Sequence, residues 1–81
     1  MERSEIIINI KKILISVLEH DRFETTEELS AKDVDGWDSL THMVIITEIE
    51  SEFSVRFKLK ELNKLNNLGN LVDLVQSKLN E

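Results

Sequence analysis

The residues best suited to chemistry lie together in the segment Asp35-Gly36-Trp37-Asp38-Ser39-Leu40. Ser39 is expected to follow a loop at the start of a helix, where its hydroxyl is exposed and outward backbone N–H groups favour an anion such as phosphate. A phosphodiester on Ser39 would therefore be well placed. Ser39 lacks the partners of an autonomous nucleophile, because His20 and His42 are the only imidazoles and no third group is evident to orient His42.

The residues alone leave three interpretations of this segment open. In the first, another enzyme supplies the base and the metal, and Ser39 is its substrate. In the second, Asp38 or Ser39 only caps a helix, and the acidic loop and the apolar second helix bind a basic partner without covalent modification. In the third, Ser39 and His42 form a small hydrolase. Replacing Ser39 with alanine separates them: a modified protein loses all function, a lost cap costs about 1 kcal/mol, and a hydrolase also fails without His42.

A first helix, from about Ser4 to Glu19, is predicted to precede this segment, because apolar residues recur on one face with helical period. These residues are Ile6, Ile7, Ile10, Ile13, Leu14, Val17 and Leu18. Ile8 and Ile15 fall outside that face and are expected to form a small exposed patch or to meet a loop.

Residues 20–37 are predicted to form a long loop, since they lack sustained periodicity and are rich in acids, Thr, Ser and Gly. One short helical turn is expected near Thr26–Leu29. A loop of this length in a compact domain is unusual and is often functional. Its apolar side chains are expected to dock inward: Phe23, Leu29, Val34 and Trp37.

The second helix is predicted to start at Asp38 or Ser39 and to continue to about Phe53. Its apolar residues spread almost all around the helix, which indicates a central position in the core or one face used for binding. Residues 54–66 are predicted to form a connection that is extended at Val55-Arg56-Phe57.

A helical turn is predicted within Leu59–Leu65, with Leu62 and Leu65 facing inward. The last helix is predicted over Leu68–Leu79, with Asn67 as N-cap, and tolerates Gly69 in its first turn at a small cost in helix propensity.

Composition sets the class of protein. The chain has 81 residues, with no cysteine and no proline, which predicts one domain over residues 1–81 without disulfides or a metal site. We predict an all-α bundle of three to four short helices with the long loop between the first two main helices. The longest apolar run, Ile6-Ile7-Ile8, is too short for a membrane span, and the first residues are acidic where a signal peptide would be basic, so a cytoplasmic protein is expected.

Charge divides the chain into three parts. Residues 19–52 carry two basic and eleven acidic groups, a net charge of −9, between flanking parts of +1 and +2. This negative field repels nucleic acid and anionic membranes and attracts basic protein surfaces, so neither a nucleic acid nor a membrane is expected as a partner. A solvated acidic loop without a partner is the alternative.

Gly36-Trp37-Asp38-Ser39-Leu40 resembles the Asp-Ser-Leu signature of the acyl carrier and peptidyl carrier protein family. Ile49-Glu50-Ser51-Glu52-Phe53 resembles the family's Ile/Leu-Glu-x-x-Phe end of the second helix, and the Ser-Val-Arg-Phe that follows resembles its short extended segment. Asn67–Val75 is similar to the opening of the family's third helix. The three-residue motif is weak by itself, but the similarity at these spacings covers residues 5–79.

The resemblance implies a carrier and not an enzyme. Ser39 would accept 4′-phosphopantetheine from coenzyme A through a phosphopantetheinyl transferase, with Asp38 and Leu40 as the flanking recognition residues. The terminal thiol of this covalent cofactor would hold an acyl or aminoacyl group as a thioester. The implied partners are the transferase, an acyl- or aminoacyl-loading ligase, and acyl-transfer or condensing enzymes with basic surfaces. A monomer is also implied. The resemblance further implies an acyl pocket between the second and third helices, and the sequence does not show whether this pocket is open.

The sequence departs from carriers of bulk fatty acid synthesis, which usually have acidic residues on the exposed positions just after the serine. The corresponding positions here are Thr41, His42, Val44 and Thr47, and acids return only at Glu48, Glu50 and Glu52. We therefore expect a dedicated carrier with its own ligase or transferase, whose partners contact Val44, Glu48 and Asp35. The alternative for Val44 is that it packs into the core.

The remaining residues of interest are given structural roles. Trp37 is expected to be a lid at the junction of the loop and the second helix, and Met43 is expected in the core. Lys58, Lys60 and Lys64 are expected to form a solvated face.

Overall fold

The computed structural model describes residues 1–80, and in this range the chain forms four α-helices, one short 3₁₀ helix and no strand. The α-helices are α1 (Arg3–Leu18), α2 (Ser39–Phe53), α3 (Leu59–Leu62) and α4 (Leu68–Leu79), and the 3₁₀ helix is Ala31–Asp33. The predicted all-α bundle with a long loop between α1 and α2 is confirmed. The predicted bounds of α2 and α4 agree with the structure, including Asn67 as the N-cap of α4, whose side chain accepts from Asn70 N.

The core is formed by one face each of α1, α2 and α4, together with two residues of the long loop. Its buried residues are Ile6, Ile10 and Leu14 from α1, Ile45, Ile46, Ile49 and Phe53 from α2, Leu68, Leu71, Val72 and Val75 from α4, and Leu29 and Val34 from the loop. The four-residue spacing in α1 is the helical period that predicted this face. Phe23, Trp37, Leu62 and Leu65 pack against this core, as predicted.

The long loop is fixed to the start of α4 by backbone hydrogen bonds. The N–H groups of Leu68 and Gly69 donate to the carbonyls of Leu29 and Glu27, at 2.8 and 2.9 Å. The first amides of a helix have no partner within the helix, so the loop satisfies two donors that would otherwise need water. A Cβ on Gly69 would lie 3.1 Å from Glu27, a contact so close that the loop would have to shift slightly, and glycine is therefore favoured at this position.

Arg3 at the start of α1 ties the loop to α4 from the other side. Its guanidinium binds the Glu27 carboxylate through Nε and Nη2, at 3.0 and 2.8 Å, and Asp73 through Nη1 at 2.6 Å. Further bonds reach Gln76 Oε1 at 3.0 Å and Gly69 O at 3.2 Å. These bonds raise the pKa of Arg3 and lower that of Glu27 below its ordinary value. Sequence analysis missed this network, since its members are distant in the chain.

Three predictions differ from the structure in detail. The turn at Thr26–Leu29 exists as a hydrogen-bonded turn, with Leu29 N–H donating to Thr26 O at 3.2 Å, but the helical turn lies later, at Ala31–Asp33. Met43 was predicted in the core, which is wrong: its side chain is 54% exposed. Of the two α1 residues outside the core face, Ile8 is 54% exposed and Ile15 is partly buried.

No helix within residues 1–80 has the length and apolar character required to cross a membrane. The same residues include no group of three or more His, Cys, Asp or Glu side chains placed to hold a metal ion.

Candidate functional site

Asp38 is the N-cap of α2. Its carboxylate accepts hydrogen bonds from the backbone N–H groups of Leu40 and Thr41, both at 3.0 Å. The Thr41 hydroxyl accepts from Asp38 N at 2.8 Å and donates to Gly36 O at 2.7 Å, which completes a reciprocal capping box. The bond from Thr41 N–H, with the one from Leu40, holds the pKa of Asp38 below its ordinary value, so this carboxylate is charged at neutral pH.

Ser39 is the first residue of α2, and its side chain is exposed. Because Asp38 supplies the cap, the Ser39 hydroxyl makes no hydrogen bond to any of residues 1–80 and is available to an outside reagent. Outward backbone N–H groups at the start of this helix were expected to favour an anion such as phosphate. Two of them, those of Leu40 and Thr41, donate to the Asp38 carboxylate.

A tight turn delivers the chain to this position. Gly36 has a φ angle of 85°, a backbone conformation that is strained for residues with a Cβ but not for glycine. Trp37 N–H donates to Val34 O at 3.3 Å, and Asp38 N–H to Gly36 O at 3.2 Å. His20 Nε2 lies 2.7 Å from Asp35 O, which fixes the loop before the turn to the end of α1. The turn therefore has a defined shape before α2 begins.

Trp37 and His42 form a pair beside Ser39. The indole Nε1–H of Trp37 donates to Nδ1 of His42 at 3.1 Å, and the rings are stacked with centroids 6.2 Å apart and 25° between their planes. Partial burial lowers the pKa of His42. An imidazole that accepts at Nδ1 carries its proton on Nε2, so His42 has no free lone pair with which to take a proton from Ser39. This arrangement removes the hydrolase interpretation.

The Trp37–His42 pair forms one wall of a small cleft. The cleft has a volume of about 50 Å³ and lies between the loop, the start of α2 and the start of α4. Its other walls are formed by Leu29, Ala31, Leu65, Asn66, Asn67 and Leu71. The pair therefore packs against the core as the predicted lid, and it also faces a cleft.

The outer face of α2 after Ser39 is apolar. Leu40, Met43 and Val44 are 80%, 54% and 48% exposed, and they lie on one face because they are spaced three and four residues apart. Val44 therefore does not pack into the core. We call Leu40, Met43 and Val44 the apolar face of α2. Asp35 and Glu48, the other two residues expected to contact partners, are also exposed.

The acidic residues further along α2 have different roles. Glu50 was grouped with Glu48 and Glu52 from the sequence, but its Oε2 accepts from Phe57 N–H at 2.8 Å and holds the extended segment after α2. Glu48 and Glu52 line a groove of about 680 Å³ between α1 and α2. No local pattern in the sequence indicates this groove, because it depends on how far apart the two helices pack.

The chain is similar to known proteins over nearly its whole length. Residues 10–75 match the family model described as "Phosphopantetheine attachment site". An acyl carrier protein of Petrotoga mobilis is 34% identical over 80 residues, covering 99% of this chain and 94% of the relative. An acyl carrier protein of Thermotoga maritima is 34% identical over 77 residues, covering 95% of each. The solution NMR structure of a holo acyl carrier protein from Geobacter metallireducens has a TM-score of 0.85 and 42% identity, covering 91% of this chain and 85% of that one.

Proposed function

The chain belongs to the acyl carrier protein family, which is defined by a phosphopantetheine attachment site, and we propose that Ser39 is the residue that carries the arm. A protein of this family is a carrier and not an enzyme, and its covalently attached cofactor is 4′-phosphopantetheine. The observation that carries the proposal is the exposed Ser39 hydroxyl, which the Asp38 cap leaves without a partner at the start of α2.

The residues of the site fit the loading reaction. The Ser39 oxygen forms a new bond to phosphorus as the pyrophosphate bond of coenzyme A breaks, the adenosine bisphosphate part leaves, and the hydroxyl proton passes to a base. Since Nδ1 of His42 is occupied by Trp37, the base must come from the phosphopantetheinyl transferase. Asp38 and Leu40 are proposed to contact that transferase, one through its charge and the other through its exposed side chain.

When attached, the arm supplies a terminal thiol that holds an acyl or aminoacyl group as a thioester. The chain contains no cysteine and has no thiol of its own. The role of the protein is to hold Ser39 at a defined position and to present the surface around it. Because the capping box fixes the start of α2, the attachment point is well ordered relative to the apolar face of α2.

Intact-protein mass spectrometry tests the attachment site. The protein is incubated with coenzyme A, magnesium and a broad-specificity transferase, and the wild type is expected to gain the mass of one phosphopantetheine. Ser39→Ala should gain none. Ser51→Ala removes another exposed serine of α2 and should load like the wild type. No gain in the folded wild type, beside a working positive-control carrier, would refute carriage on Ser39 and favour the non-covalent interaction module.

We also infer that the carrier serves a dedicated pathway more than bulk fatty acid synthesis. Carriers of this family work with a transferase and with acyl-transfer enzymes, and the surface next to Ser39 decides which of these enzymes bind well. An exposed apolar surface binds best to an apolar surface, whereas rim charges mainly steer the encounter. The apolar face of α2, with Asp35 and Glu48 as the nearby acids, suits a partner that has an apolar patch with a few basic residues around it.

A single charge on the apolar face tests this inference. Val44→Glu places an acid at one of the positions where bulk carriers usually have them, and Ile8→Glu is the matched control, because the two side chains are 48% and 54% exposed. We expect the Val44 variant to be acylated several-fold faster than the wild type by a malonyl transferase of bulk fatty acid synthesis. The Ile8 variant should behave like the wild type. A wild type that this enzyme already uses as well as its own carrier would refute the dedicated role.

A further inference from the structure

A small cleft lies beside the start of α2, the helix that begins with Ser39. Two of its wall residues, Trp37 and His42, lie two residues before and three residues after Ser39. Its volume of about 50 Å³ is small for an organic group. An apolar cavity of about 150 Å³ is known to hold a molecule the size of benzene, which has six carbon atoms. An acyl chain of eight carbons therefore enters this cleft only if a wall moves.

The wall formed by Trp37 and His42 resists such movement. Separation of the two rings breaks the 3.1 Å hydrogen bond and the stacked contact together. Both side chains are partly buried, so the indole N–H would lose its acceptor in a place that water reaches poorly. The pair therefore acts as a latch, and we use that name for Trp37 and His42 below.

The opposite walls are also held in place. Leu29 and Leu71 belong to the buried core. Leu29 cannot swing away freely, because its carbonyl accepts from Leu68 N–H at 2.8 Å and joins the loop to the start of α4. Arg3 reinforces the same junction through Glu27. The cleft is thus bounded on one side by the latch and on the other by a cross-linked loop.

The larger groove between α1 and α2 does not replace this cleft. It is open and has a volume of about 680 Å³, and its lining mixes the apolar side chains of Ile13, Val17 and Val44 with polar and charged ones such as Lys12, Glu48 and Glu52. An alkyl chain laid there would contact apolar residues on one side but would remain exposed to water and near charged groups on the other. It would therefore gain only part of the stabilisation that full burial of apolar surface provides.

We propose that the latch keeps the cleft closed to long acyl chains and that the cargo of this carrier is a short acyl or aminoacyl group held outside the fold. This proposal rests on the proposed function, since it concerns the group carried by the arm on Ser39. It gives the class of cargo: groups of a few carbon atoms that need no apolar cover, in place of chains of eight carbons or more.

Thermal unfolding of loaded forms tests the proposal. The transferase is supplied with acetyl-, octanoyl- or unacylated coenzyme A, and mass spectrometry confirms each product. A chain that enters the folded protein stabilises it, because it binds the folded state and not the unfolded one. Burial of even two methylene groups should raise the Tm of a domain of this size by about 4 °C or more. We expect the octanoyl and acetyl forms of the wild type to melt at the same temperature.

The single tryptophan gives a second measurement at the latch itself. Trp37 is the only tryptophan and the chain has no tyrosine, so its fluorescence reports the cleft without interference. We expect the same emission maximum for the acetyl and octanoyl forms of the wild type. In His42→Ala the latch is removed and Trp37 is kept, so the octanoyl form should melt at a higher temperature than the acetyl form and its emission should shift to shorter wavelength. Ile8→Ala, at an exposed position of α1 away from the cleft, is the control and should behave like the wild type.

The possible results distinguish the two proposals. If the wild type does not load, carriage on Ser39 fails and the cargo proposal fails with it. If it loads and the octanoyl chain raises its Tm or shifts the Trp37 emission, carriage stands and the latch proposal is overturned. The comparison of acetyl and octanoyl forms of the wild type decides this even if His42→Ala does not fold.

Discussion

Replacement of Gly69 by alanine is predicted to destabilise the protein, although it places a better helix former in the first turn of α4. A Cβ at this position would lie 3.1 Å from the Cβ, the backbone oxygen and Oε1 of Glu27. The side chain of Glu27 can rotate, but its backbone oxygen cannot leave without cost. That oxygen accepts from Gly69 N–H at 2.9 Å and holds the long loop to α4.

The magnitude follows from two opposing effects. Alanine in place of glycine stabilises a helix interior by about 0.8–1.0 kcal/mol, and less in a first turn. Forcing a methyl group into a filled site costs about 1–3 kcal/mol, and weakening the adjoining hydrogen bond costs about 0.5–1.5 kcal/mol. We therefore expect Gly69→Ala to lower the free energy of unfolding by about 1–2 kcal/mol, which corresponds to a fall in Tm of about 5–10 °C for a domain of this size.

Circular dichroism melts and urea titrations measure this change. Ser77→Ala is the matched control, because Ser77 is an exposed residue of α4 where added helix propensity meets no neighbour, and it should be equal to or slightly more stable than the wild type. Trp37 emission should also change in Gly69→Ala, since the displaced loop carries Trp37. A Gly69→Ala protein that melts at or above the wild-type temperature would refute the close-approach argument.

Three further predictions concern the N-cap of α2, the stability of the fold at low pH and the core. Asp38→Ala should lower Tm by several degrees in thermal melts while Asp38→Asn stays near the wild type, because Asn accepts the same amides; equal melting of all three would contradict the capping assignment. The bonds from Arg3 lower the pKa of Glu27, so their stabilisation is present above its ordinary value of 4.5 and is lost as pH falls through the folded value. The difference in Tm between wild type and Arg3→Gln should therefore shrink below about pH 4.5, and a constant difference down to pH 3 would contradict it. Leu14→Ala, at a fully buried position, should cost about 2–5 kcal/mol in urea unfolding, and a cost under about 1 kcal/mol would show that α1 packs loosely.

Local patterns in the sequence were sufficient to predict where the main helices lie. The period of Ile6, Ile10 and Leu14 determines the buried face of α1, and Asn67 marks the start of α4, because both signals act within a few residues. The outward direction of Met43 could not be obtained in this way. In a helix that is apolar on most sides, only the positions of α1 and α4 decide which apolar side chains are covered.

Contacts between distant parts of the chain were also beyond a single sequence. Arg3 and Asp73 form an ion pair across 70 residues, and Gly69 meets Glu27 across the loop. No periodicity or capping rule connects such residues. From the sequence, Gly69 is only an unfavourable residue in a helix. The close approach of the loop to the backbone of α4 explains why a glycine lies there.

The order Asp-Ser at the start of α2 has a physical reason that follows from the geometry. One residue must cap the helix, and its side-chain oxygen is then occupied by the N–H groups of the first turn. A serine in the cap position would have its hydroxyl held by these amides, and the attacking oxygen would have to leave them before it could react. With Asp38 as the cap, Ser39 takes the first helical position, where its backbone is fixed by the helix and its hydroxyl stays free. The Asp38 carboxylate thereby makes Ser39 both rigid and reactive toward an outside enzyme. Exchange of the two residues would keep a capped helix but move the hydroxyl into the cap, so the exchanged protein should fold and should not load.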